Sequence, residues 1–157
     1  MRIAFRILTW PIRLLWRATM PRRFPHGRPF DMRAPVIIDG DTVFHDGRRI
    51  RIWGIDAPEM SQPDGQAAKE RLIRLCHRRH IHVVPRDTDI YGRTVAQLYC
   101  GRGDIGAAMV ASGFAASASR AYAKIESKAC RRKAGLWQSG PIPDPAAHRR
   151  AHSGGMA

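Results

Sequence analysis

The sequence predicts a single α+β domain whose sheet is a small Greek-key barrel, and three observations carry that prediction. β-prone and helix-periodic runs follow one another in the order three short strands, helix, two strands, helix, helix. Two of the strand runs flank Asp46 and Gly47, a dipeptide suited to a two-residue hairpin turn. The 157 residues suffice for one domain with a packed core and are too few for two ordinary ones.

The opening segment, MRIAFRILTWPIRLLWRATMPRRF, is set apart by its charge pattern. At 100° per residue, Arg2, Arg6, Arg13 and Arg17 share an arc of roughly 60°, and the apolar side chains lie elsewhere. That is the layout of an interfacial helix over residues 1–17, kinked at Pro11, whose partner is an anionic membrane surface; a degenerate leader is the alternative. Arg6 and Arg13 interrupt the apolar run needed for a membrane span, and no signal-peptide core or cleavage site stands out. Membrane association and export both stay open. Residues 20–35, MPRRFPHGRPFDMRAP, read as a basic Pro-rich linker. Residues 1–33 are therefore placed outside a domain spanning 34–138, and residues 139–157, which lack periodicity, are expected to be disordered.

Within the domain, "VII" at 36–38 is a short strand leading to a turn at Asp39 and Gly40. A two-residue type I′ turn at Asp46 and Gly47 sets Thr42 opposite Arg51 and Asp41 opposite Ile52. After the loop GIDAPEMSQPDG, residues 65–77 place Ala68, Leu72, Leu75 and Cys76 on one helix face. "IHVVP" is a strand expected to end at Pro85, RDTDIYGR a loop, and TVAQLYC the next strand. Asp104 is the predicted N-cap of a helix that turns Ile105, Ala108 and Met109 inward and stops at Gly113. A last helix over 119–133 buries Tyr122, Ile125 and Ala129, with cations in its final turn, and ends at Gly135.

The net charge is +14, of which residues 1–33 carry +7 and residues 34–137 carry +6. Such a balance suits a polyanionic partner, nucleic acid or an anionic membrane, although an Arg-rich composition alone produces the same figure. Cys76, Cys100 and Cys130 have no metal-ligand spacing and read as core or surface residues, with one Cys76 to Cys100 disulfide left open for an exported protein. The seven histidines are taken as structural or exposed; only His80 and His82 share a strand face.

Against this basic background stands IIDGDTVFHDGRRIRIWGIDAPEM, residues 37–60. Asp39, Asp41 and Asp56 offer hard oxygen ligands from two neighbouring loops, as Ca2+ requires. Glu59 follows Asp56 by three residues and is a candidate general base on water. Arg51 and the Arg93 of YGR are planar bidentate cations suited to the charge that builds on a phosphodiester in its transition state. Singly, DGDT is most often a solvated turn, DAPE a commonplace Pro turn and Arg51 a surface arginine. Only their combination points to a metal-dependent phosphodiesterase.

Six segments then carry a family resemblance: IDGDTV at 38–43, RIRIWGIDAPE at 49–59, DGQAAKERL at 64–72, DIYGRTVAQLY at 89–99, DIGAAMVASGFA at 104–115 and AGLW at 134–137. In this order they resemble the thermonuclease, or staphylococcal nuclease-like, family over residues 35–138. The resemblance implies an OB-fold five-stranded barrel with three helices and a Ca2+-dependent endonuclease acting on DNA and RNA, leaving 3′-phosphate ends. By position it implies Asp41, Asp56 and the Ala57 carbonyl as metal ligands and Asp39 behind them. Glu59 becomes the general base, Arg51 and Arg93 hold the phosphate, and Tyr91 touches substrate. A monomer acting on single-stranded or denatured nucleic acid is expected. Two departures stand out: Ile90 replaces the family's usual cation in DxYGR, and ASASRA replaces aromatic residues after the GFA turn. A nucleic-acid-binding OB module with weak catalysis is the competing expectation.

Overall fold

The computed structural model describes residues 27–140. The expected interfacial helix at 1–17, the start of the linker and the tail from 141 lie outside the described residues.

Nine strands and three helices form the fold. Strands β1 (Phe30–Arg33), β2 (Val36–Ile37), β3 (Thr42–His45), β4 (Arg48–Ile52) and β5 (Ile55–Asp56) precede helix α1 (Gly65–Cys76). Then come β6 (His80–Thr88), β7 (Thr94–Cys100), β8 (Gly103–Asp104), α2 (Ile105–Ala111), β9 (Ala116–Ser117) and α3 (Ala123–Arg131). A 3-10 turn over Gly135–Ser139 closes the described chain. The main sheet runs β1-β6-β7-β4-β3-β2, with β8 on β7, and a separate pair joins β5 to β9. All pairs are antiparallel except β4 with β7, so the sheet is mixed and curls into a half-barrel, as an OB-like α+β architecture requires.

The hairpin follows the sequence. Asp46 and Gly47 both have positive φ, 47° and 76°, as a type I′ turn demands, and Thr42 pairs with Arg51. Ile52 N–H donates to the Asp41 carbonyl at 2.7 Å, completing the expected pairing. Alternation then sends Val43, Ile50 and Ile52 into the core with Ile81, Val83, Ala96 and Leu98. Ala68, Leu72 and Cys76 of α1 pack onto them, while Leu75 is half-buried. Asp104 caps α2, accepting from the Ala107 N–H at 3.1 Å, and Ile105 and Met109 are buried; Val110 is buried where Ala108 had been expected.

Three expectations change. The fold begins before Ala34: Phe30–Arg33 pairs with Val83 to His80, and Met32, only 1% exposed, anchors it. An edge strand needs one partner and one buried side chain, which this Pro-flanked segment supplies. Pro85 does not end β6, because the register shifts between Pro85 and Asp87, and a bulge accommodates the missing N–H. Helix α3 starts at Ala123, not Ser119, since Ser119 to Tyr122 forms a turn first. Tyr122 and Ala129 are buried as expected and Ile125 is half-buried.

Candidate active site

Asp41 is brought inside by a tight turn. The Asp39 carboxylate accepts from the Asp41 N–H at 3.0 Å, and Ile38 N–H donates to the Thr42 carbonyl at 3.0 Å. Gly40 lets this turn lie flat on its neighbours: a Cβ there would stand 2.6 Å from Ala57 Cβ and 2.8 Å from Ala68 Cβ. The turn is thereby pressed between the DAPE loop and α1, leaving Asp41 only 3% exposed.

Arg51 joins the two acidic loops. Its Nη1 lies 3.0 Å from Asp41 Oδ2 and its Nη2 2.7 Å from Asp56 Oδ1. Asp41 also accepts from the Thr42 hydroxyl at 2.9 Å and from the Ala57 N–H at 3.3 Å. Asp56, 8% exposed, is fixed by the pairing of β5 with β9. Burial raises the Asp41 pKa to about 7; Arg51 and Thr42 pull it down, while Asp39 and Asp56 push it up. Three carboxylates thus share this corner with one guanidinium at its centre.

The donor set suits a hard cation. Two buried carboxylates and the Ala57 peptide supply oxygen, and the local excess of negative charge is what a divalent ion would neutralise. Among the described residues no three His, Cys, Asp or Glu side chains gather into a ready-made metal cluster, so backbone oxygen and water would have to complete any shell.

Glu59 is placed by backbone contacts. Its N–H donates to Gln62 Oε1 at 2.7 Å and its carbonyl accepts from the Gln62 N–H at 2.8 Å. Gly65, first residue of α1, abuts this loop: a Cβ there would be 2.1 Å from the Glu59 carbonyl oxygen. Gln62, 8% exposed, and Gly65 are positioning residues that sequence reasoning missed. The only sequence signal was a Gly where a helix begins.

Arg93 is held by Asp89. Asp89 Oδ1 accepts from the N–H groups of Tyr91 and Arg93 at 3.0 and 2.9 Å, and Oδ2 from Arg93 Nε at 2.7 Å. Burial alone would raise the Asp89 pKa, but the Arg93 hydrogen bonds and charge, with the Tyr91 N–H, lower it overall. Thr94, next in the chain, pairs with Ile50, and Val95 with Arg51, so Arg93 precedes the strand that lies beside β4. Its guanidinium lies 5.4 Å from the centre of the Tyr91 ring, which is 78% exposed. Ile90 is 93% exposed at the same loop tip. The structure therefore gathers Asp39, Asp41, Arg51, Asp56 and Ala57 in direct contact and presents Arg93 and Tyr91 on the adjoining loop. Asp89 was missed, although an Asp two residues before the first N–H it receives is a recognisable turn signal.

Fold and site together define a small α+β protein with an oxygen-donor corner bridged by arginine. Residues 49–139 match the family described as staphylococcal nuclease homologue, and the chain belongs to that family. It is 35% identical over 144 residues to a micrococcal nuclease of Shigella flexneri, covering 77% of this chain and 82% of the relative. A probable staphylococcal-like nuclease of Oryza sativa is 35% identical over 124 residues, covering 75% of this chain and 37% of that longer protein. An uncharacterized endonuclease of Haemophilus influenzae is 30% identical over 135 residues, covering 80% and 76%.

Proposed function

We propose that the chain is a Ca2+-dependent nuclease that cleaves phosphodiester bonds of single-stranded DNA and RNA internally, as a monomer, leaving 3′-phosphate ends. The observation that carries this is Arg51 forked between buried Asp41 and Asp56 in a member of a nuclease family. Asp41, Asp56 and the Ala57 carbonyl would hold the ion, with Asp39 fixing the turn behind them. When bound, calcium supplies positive charge beside the scissile phosphate.

The chain's own residues do the rest. Glu59 takes a proton from the attacking water as its oxygen bonds to phosphorus and the P–O5′ bond breaks. Arg51 and Arg93 donate to the equatorial oxygens, where charge increases in the transition state. Calcium at Asp41 and Asp56 competes with Arg51 for the same carboxylates, which turns the guanidinium toward phosphate. The exposed Tyr91 ring offers a face on which a base stacks.

Ile90 favours the second reading, a binding module with weak catalysis, because a side chain 93% exposed at this tip contributes no cation to a phosphate. Incubating DNA and RNA oligonucleotides with the full chain, in Ca2+ and in chelator, decides between them. Calcium-dependent products ending in 3′-phosphate support the nuclease. Binding without cleavage supports the module.

A further inference from the structure

We propose that Asp31, His80 and His82 form a binding site for a divalent transition-metal cation of the zinc type, on the exposed edge formed by β1 and β6. His80 and His82 are two residues apart on β6 and project from the same face, and Asp31 sits opposite His82 on β1. His82 Nδ1 lies 2.8 Å from Asp31 Oδ1, and His80 Nε2 lies 3.8 Å from Asp31 Oδ2. The three side chains are 48%, 51% and 53% exposed for His82, His80 and Asp31, so a cation reaches them from solvent.

The spacing fits the ion. Ligand atoms about 2.0 to 2.1 Å from a tetrahedral zinc stand roughly 3.3 Å from one another, and the two separations fall on either side of that value. The trio is not a closed cage without metal: His80 must move in by about half an ångström to reach the tetrahedral edge length. Water takes the remaining position.

The ligand types separate this site from the acidic corner. Imidazole nitrogen selects zinc, copper and nickel, whereas calcium takes oxygen alone. The two places are also apart along the sheet. His82 pairs with Tyr99, while Arg93 precedes Thr94 at the other end of β7, a run of five residues or about 17 Å at strand rise. A bound cation would tie β1, an edge strand of four residues, to β6 and so fasten the incoming chain to the sheet.

The test is calorimetric titration of Zn2+ into the full chain without an affinity tag, beside His80→Ala, His82→Ala and Asp31→Asn. All three side chains are half-exposed, and circular dichroism verifies that each variant is folded. The expected result is one stoichiometric site in the wild type, weakened by about tenfold or more in each variant. Zinc should also shift the imidazole proton resonances of His80 and His82 and raise the thermal midpoint of the wild type alone. Absence of a stoichiometric site in the wild type, or equal affinity in the histidine variants, would overturn the proposal.

Discussion

Arg51 stands across the β3–β4 ladder from Thr42, yet its guanidinium reaches past that partner to Asp41, with Nη1 3.0 Å from Oδ2. The side chain is 18% exposed and Asp41 5%, so the pair is largely withdrawn from water. The hairpin register thus determines which arginine meets the buried acid.

Removing that arginine leaves Asp41 and Asp56 facing each other. Arg51→Ala should lower stability by about 3 to 5 kcal/mol, the usual cost of stranding buried charge. Turnover should fall about 100- to 1000-fold through the lost phosphate contact. Added calcium should restore part of the stability and none of the rate. Arg51→Lys keeps the charge but loses the fork between two carboxylates, so it should rescue stability better than activity. Urea melts and initial rates on one oligonucleotide measure both.

Asp41 makes the metal-free protein sensitive to pH. Its carboxyl titrates at 3.8 when unperturbed and at about 7 in the fold, so the folded state holds the extra proton between those values. Stability is then greatest at the acidic end of this window and falls as pH rises through it. Thermal melts in chelator should show that decline from pH 5 to 7 (about 2 pH units inside the window). Asp41→Asn should flatten it.

Gly65 tests how Glu59 is placed. The alanine methyl would collide with the Glu59 carbonyl at 2.1 Å, forcing the loop away from α1. Gly65→Ala should cut kcat by about 100-fold, the effect of moving a catalytic group by an ångström, with a much smaller change in KM. A variant with wild-type kcat would show that Glu59 is positioned by something else.

The three cysteines are free thiols in the fold, with Cys76 buried, Cys100 half-buried and Cys130 exposed. Burial, and to a lesser extent Cys100, pushes the Cys76 thiol up to about 12. Because thiolate is the reactive form, a chromogenic disulfide reagent at pH 8 should label Cys130 first and Cys76 only on unfolding. Mass spectrometry should find no Cys76 to Cys100 bond in protein purified without oxidant.

Much of this fold is legible in the sequence where local rules decide it. Asp46-Gly47 fixes the turn type, the turn type fixes the register, and Thr42 and Arg51 follow. The 3.6-residue period of Ala68, Leu72 and Cys76 gives α1 its buried face. β1 was hidden because FDMR lies among prolines and gains its strand conformation from β6, a partner 50 residues away. Pro85 misled for a similar reason, since only the ladder reveals a bulge. At the site, residue types and spacing marked Asp41, Asp56, Arg51 and Glu59. The depth of Asp41 depends on the close approach of Gly40 to Ala57 and Ala68, and the seating of Arg93 depends on Asp89; both are tertiary contacts.

The most direct measurement is the initial rate of single-stranded DNA hydrolysis by the full chain in Ca2+, in chelator, and by Glu59→Gln in Ca2+. Calcium-dependent cleavage by the wild type, reduced by about 100-fold or more in the variant, is the expected result for a general base. A folded wild type that leaves the DNA intact in Ca2+, or a Glu59→Gln that cuts as fast, would contradict a nuclease built on the Asp41, Arg51, Asp56 and Glu59 corner.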